Sequence, residues 1–161
     1  MRNLIAAAAA AALLLVPVVA GAQAALPAYG PSIGHDAALK AIAASEAEAK
    51  KNGWTMVTAV VDTSGRLVAL SRMDNSQVGS LDIAIAKATT ANNFKRPTKP
   101  FQEAIAQGGA SLRLIGVPGL LPIEGGVPIV VDGKIIGAVG VSGAASNQDA
   151  ECAMAGANAA K

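Results

Sequence analysis

Apolar positions along this chain change period several times, and each change marks an element. Over Asp36–Lys51 the spacing is helical, with Leu39, Ile42 and Ala43 on one face and Glu46, Glu48, Lys50 and Lys51 outside it. Asn52-Gly53 ends this helix, since glycine adopts the left-handed C′ conformation at little cost. Thr55–Asp62 is rich in β-branched residues and predicts a strand. Asp62-Thr63-Ser64-Gly65 turns the chain, and Arg66–Arg72 returns as the second strand of a hairpin. Gly79–Phe94 is the next helix, with Leu81, Ala84, Ile85 and Ala88 at inward spacing. Pro97 and Pro100 break the pattern and open a short helix ending at Gly108-Gly109. Between Ala110 and Glu124, Pro118, Gly119 and Pro122 leave only short pieces, and residues 25–34 read as an irregular arm.

The most specific local signal lies at residues 125–149. Asp132-Gly133 separates the apolar runs Val127–Val131 and Ile135–Val141, which predicts a two-residue type I′ hairpin with positive φ at both central positions. Ser146-Asn147-Gln148-Asp149 matches a capping pattern and opens a last helix over Asn147–Ala160. Consecutive hairpins interleaved with helices imply an α+β domain, an antiparallel sheet flanked by helices, rather than a doubly wound parallel sheet.

Residues 1–24 stand apart from this pattern. Arg2, the apolar run Leu4–Val19 and the small residues Ala20-Gly21-Ala22 or Ala22-Gln23-Ala24 form the three parts of a secretory signal peptide. Pro17 and the alanine content favour cleavage over a stable membrane anchor. The same run inflates the mean hydropathy of +0.43. Residues 25–161 then form a single domain with a periplasmic or secreted destination. Loss of Arg2 lowers the net charge of +2 by one, too little to attract nucleic acid, and the scarce aromatic residues offer no base-stacking platform. Cys152 is the only cysteine, which excludes an internal disulfide and a CxxCH haem attachment.

Few residues carry chemistry. His35 is the only histidine; it caps the first helix, stays solvated, or ligates a metal through its imidazole. One axial protein ligand suffices for haem iron, with Tyr29, Met73 and Cys152 as alternative donors. Cys152 also suits a small buried helix residue or a dimer-linking thiol. Arg72 matches a carboxylate bidentately, or pairs with Asp74 or Asp82. Gly137, Gly140 and Gly143 follow G-x-x-G-x-x-G, not the dinucleotide pattern. They permit close approach of another backbone or a flat ligand. Gly125-Gly126 offers unobstructed backbone amides or a simple turn.

Ordered landmarks tie these pieces to a known family. They are Val60-Val61-Asp62-Thr63-Ser64-Gly65-Arg66-Leu67-Val68-Ala69-Leu70, Arg72-Met73-Asp74, Ala86-Lys87-Ala88, Arg96-Pro97-Thr98, Gly125-Gly126-Val127-Pro128-Ile129, Gly137–Gly143 and Gln148-Asp149. Over residues 36–158 the chain resembles the GlcG/HbpS family of haem-binding proteins, related to the C-terminal domain of PduO-type proteins. The resemblance implies a profilin-like antiparallel sheet with helices on both faces, and homo-oligomers. It also implies non-covalent binding of haem or a related tetrapyrrole. The site residues expected on that basis are His35 as axial ligand, Arg72 and Lys87 as propionate partners, and Gly125 and Gly126 beside the pocket. Two rival readings remain. One is an enzyme that degrades haem or acts on a small organic acid, with Asp62, Asp74 or Asp82 as acid or base. The other is a sensor module whose ligand alters assembly.

Overall fold

Two strand pairs set the frame of the molecule, a computed structural model that describes residues 25–161; the expected leader, residues 1–24, lies outside them. β2 (Val57–Asp62) pairs antiparallel with β3 (Leu67–Arg72), and β4 (Gly126–Val131) with β5 (Lys134–Ser142). The Asp132-Gly133 turn closes the second pair with φ of 49° and 72°, as a type I′ loop requires. In the first hairpin the Asp62 carboxylate accepts the N–H groups of Ser64 and Arg66, at 2.8 and 2.9 Å. β2 and β5 join the hairpins antiparallel, giving the order β4-β5-β2-β3.

One strand was not foreseen. Ala28–Tyr29, expected to be irregular, forms a short β1 parallel to the start of β5, on the edge opposite β4. Backbone bonds from Gly30 and Ile33 to the carbonyls of Ile135 and Ile136 extend this contact. The Tyr29 hydroxyl donates to the Asn92 carbonyl at 2.8 Å and pins the arm down. Tertiary partners 63 residues away therefore order a segment whose prolines and glycines suggest none.

Helices cover both faces of the sheet. On one face α1 (His35–Asn52) and α4 (Ser146–Ala159) pack over Met56, Val60, Ile129, Val139 and Val141. On the other, α2 (Ser80–Asn93) lays Ala84, Ala88 and Ala91 against Val57, Ala59, Val61 and Ala138. Fully burying each of these valines contributes about 1.5–3 kcal/mol. Alanines and glycines set the spacing. A Cβ on Gly140 would collide with the Ala84 carbonyl, so α2 rests on the strand backbone itself. Gly156 likewise lets α4 approach Ala41 and Ser45 of α1.

The inward face of α1 differs from the expected one. Ala38, Ala41, Ile42, Ser45 and Ala49 are buried, while Leu39 and Ala43 are exposed. The close approach of α4 selects small residues, so side-chain bulk does not mark the buried face. α4 begins one residue earlier than the capping pattern suggests, with Ala145 at its N-cap. Only the glutamine half of a capping box forms, Gln148 Oε1 accepting the Ala145 N–H at 3.1 Å. α3 (Lys99–Gln107) runs into a 3-10 helix at Gly109–Gly116, in a stretch where the sequence indicated only short pieces.

Candidate functional site

Three of the five expected site residues meet at one place, in roles that their spacing does not reveal. Lys87 on α2 is enclosed, its side chain 1% exposed, and its ammonium donates to Asp149 Oδ2 at 2.6 Å and to the Val141 carbonyl at 3.1 Å. Asp149, in the first turn of α4, also accepts the Ala144 N–H through Oδ1 at 3.1 Å. Burial pushes the Lys87 ammonium below its ordinary value and the Asp149 carboxyl above it; their mutual contact opposes both shifts. The pair therefore stitches the two helix layers together through the sheet end.

Gly125 and Gly126 cover this pair. Gly125 has φ of +124°, and a Cβ there would lie 2.8 Å from the Lys87 ammonium and 2.8 Å from the Val141 carbonyl. A Cβ on Gly126 would strike the Lys87 carbonyl. The Gly126 N–H donates to Thr98 Oγ1, and its carbonyl accepts from Thr98 N–H. These glycines thus exist for close packing on α2, and the Gly126 amide is already used.

Outside them lies a depression of about 220 Å³ walled by Pro97, Pro100, Val127, Ala150 and Met154. It opens toward a shallower region of about 580 Å³ bounded by Glu48, Asn147 and Glu151. Lys99 and Glu124 stand between the two, paired at 3.2 Å. Sequence reasoning missed Lys99, Glu124 and Met154. The i,i+4 spacing of Ala150 and Met154 on one helix face was the available signal.

The remaining expected residues lie elsewhere. Arg72, on edge strand β3, donates to the Ser76 carbonyl at 3.1 Å. Among the described residues it forms no ion pair with Asp74 or Asp82. Three strand spacings, about 14 Å, separate it from β4 and the glycine pair. With Glu46, Lys50, Met73 and Asp74 it borders its own polar depression of about 370 Å³. Ser71 beside it donates to Glu46 at 2.5 Å and holds that carboxyl below its ordinary range.

His35 occupies the first residue of α1, exposed, and makes no side-chain hydrogen bond among the described residues. It is not a cap; Gly34 holds that position. Leu39 lies one helical turn on, 46% exposed on the same side. Just before His35, Ser32 bonds to Thr63 at 2.5 Å, which brings the helix start to the β2–β3 turn and its exposed Arg66. α1 and α4 are antiparallel, since Ser45 meets Cys152 and Ala41 meets Gly156. The rise of α1 therefore puts His35 about 20 Å from Glu48 and the glycine groove.

Of the alternative axial donors, Cys152 is buried and its thiol is pushed up to about 12 by desolvation, so it neither ligates nor links chains. Met73 packs against the core, its sulfur accepting the Met56 N–H at 3.4 Å. The Tyr29 hydroxyl is engaged with Asn92. Gly137 and Gly143, like Gly140, approach other backbone, at Val61 and Thr55 respectively, and leave no space for a flat ligand. Among the described residues no group of three His, Cys, Asp or Glu side chains is placed to hold a metal ion. No helix of those residues is long and apolar enough to cross a membrane.

Comparison with known proteins gives a consistent set. The model of the family described as haem degrading protein HbpS-like matches residues 33–158. Protein GlcG of Escherichia coli strain K12 is 48% identical over 101 residues, 63% of this chain and 74% of GlcG. The crystal structure of HbpS superposes with a TM-score of 0.73 and 32% identity, covering 80% of this chain and 90% of that one. The crystal structure of a PduOC:heme complex superposes with a TM-score of 0.72 and 25% identity, covering 80% and 94%.

Proposed function

Because this chain belongs to the HbpS-like family, we propose that it binds haem non-covalently and acts as an exported haem-capturing or buffering protein. The observation that carries the reading is the superposition on a haem-complexed relative across most of both chains. The leader-like residues 1–24 support export to the periplasm or beyond.

We assign the axial contact to His35. Its imidazole is exposed, has no internal partner among the described residues, and is followed by an exposed Leu39 against which a macrocycle can lie. We assign the propionate contact to Arg66, in the turn tied to this end of α1 through Ser32 and Thr63. Lys87 is removed from that role by its enclosure with Asp149, and Arg72 by its place at the far end of β3. Bound haem supplies iron and a flat apolar surface; the chain supplies a nitrogen ligand and a half-apolar wall.

A second seat has its own supporting observation. Met154, 49% exposed in the glycine groove, presents a thioether beside Val127 and the cation Lys99. Haemin titration separates the two. Saturable Soret shifts that His35→Ala abolishes and Met154→Ala leaves intact are expected. The reverse pattern would move the site to the groove, and no saturable shift at micromolar protein would remove haem binding altogether. Loss of the Soret band with product release under reductant, in the presence of catalase, would add haem degradation to binding.

A further inference from the structure

Glu124 combines burial with an unfinished hydrogen-bond shell. Its side chain is 10% exposed, and Lys99, 55% exposed, holds Oε1 at 3.2 Å. Oε2 accepts no hydrogen bond among the described residues, although the residue lines both depressions beside the glycine pair. A carboxylate this enclosed ordinarily has donors on both oxygens, since an unmet acceptor retains its desolvation cost. Two nearby amides are already committed: the Glu124 N–H donates to Gln102 Oε1, and the Gly126 N–H to Thr98 Oγ1.

The slot beside Glu124 is apolar. Pro97, Pro100, Val127, Ala150 and Met154 wall its volume of about 220 Å³, and Met154 is left half-exposed. A cavity of about 150 Å³ admits benzene, so this slot admits one ring or a chain of about six carbons. The charge around it is negative. Glu48 and Glu151 border the wider region outside, and the one cation lining it, Lys99, is already paired with Glu124. Glu48 is held by Lys51 at 3.3 Å, whereas Glu151 has no ion-pair partner among the described residues.

We propose that this groove binds a small organic cation, a primary ammonium bearing a single ring or a short alkyl chain. The ammonium donates to Glu124 Oε2 within the field of Glu151, and the apolar body fills the slot against Met154 and Val127. An ammonium carries three donors, so Glu124 takes one and Glu151 and solvent take the others. A carboxylate ligand is disfavoured, because it competes with Glu124 for Lys99 and meets the like charge of Glu151. The proposal stands apart from the haem reading, which is assigned to His35 at the other end of α1.

The purified protein, expressed from the full-length chain, is titrated near neutral pH with hexylamine and with phenethylamine by isothermal calorimetry. Saturable binding of one amine per chain is expected, at least about tenfold tighter than that of hexanol or hexanoate, as a charge-assisted hydrogen bond requires. Glu124→Gln weakens it about tenfold or more. Met154→Lys, at a half-exposed position, abolishes it with unchanged circular dichroism. His35→Ala leaves amine binding intact while removing the haemin Soret shift, so failure of either reading registers separately. No saturable binding of either amine at millimolar concentration would overturn the proposal. So would equal affinity for hexanol, tighter binding of hexanoate, binding undiminished in both Glu124→Gln and Met154→Lys, or loss of binding in His35→Ala.

Discussion

Replacing Lys87 by methionine tests the centre of the structural argument. Methionine fills much the same volume, so the packing of α2 changes little. Asp149, however, stays enclosed with its charge partner gone, and the Val141 carbonyl loses a donor. Removing one member of a buried ion pair costs about 3–5 kcal/mol. That is a large share of the about 5–15 kcal/mol that holds a domain of this size together, and it lowers Tm by about 10–20 °C. Lys87→Met with Asp149→Leu removes both charges. The remaining losses are the acceptor for the Ala144 N–H and the donor to the Val141 carbonyl, at about 1 kcal/mol each. The double variant is therefore more stable than the Lys87→Met single.

The deficit also depends on pH. Unpaired and buried, Asp149 has a folded-state pKa raised above its unfolded value. Between those two values the folded state binds more protons, so stability falls as pH rises through that window. Lys87→Met is accordingly least impaired in acid, and its gap to the parent widens toward neutrality. Urea denaturation from pH 4 to pH 8, with m values checked for constancy, measures this directly. A single variant within about 1 kcal/mol of the parent, or a deficit flat with pH, would refute the assignment of this pair as a paired, desolvated link.

Three further outcomes follow from other parts of the fold. Gly125→Ala forces a Cβ against the Lys87 ammonium at positive φ, and urea denaturation should register a loss of about 2–4 kcal/mol. Ser71→Ala removes the hydrogen bond that lowers the Glu46 pKa below its ordinary 4.5; that stability is present above the unfolded value and lost as pH falls through the folded one, so the variant's acid limb is flatter in pH-dependent melts. Cys152, its thiol pushed up to about 12, should react with an alkylating reagent at pH 8 at least about a hundredfold slower than free cysteine, and at the free rate in urea.

The parts of the fold legible in the sequence are those determined by neighbours in the chain. Asp132-Gly133 predicts its hairpin because two adjacent residues must take positive φ, and Gly53 ends α1 for a related reason. Lys87 is different. Nothing near it in the chain distinguishes a surface lysine from one that reaches Asp149, 62 residues on. Its expected role as a propionate partner rested on the family resemblance, and its enclosure with Asp149 removes it from that role. Gly125 and Gly126 were singled out for unobstructed backbone amides or a simple turn, whereas Lys87 of α2 packs against both and the Gly126 amide is taken by Thr98. His35 was found because it has no duplicate in the sequence; its separation from the glycine groove became visible only once α1 lay antiparallel to α4. The buried face of α1 was misjudged because, in a helix of alanines, Leu39 draws attention by size while the neighbouring helix rewards smallness.

The backbone-on-backbone seat of α2 at Gly140 has a kinetic consequence. With Ala84 and Ala88 resting directly on β5, α2 cannot lift from the sheet to admit a planar molecule without opening the core beneath it. A haem bound at His35 as proposed would load and unload from the outer surface. Exchange then needs no gate, and the residence time of the cargo is set by the strength of its contacts rather than by the breathing of the fold.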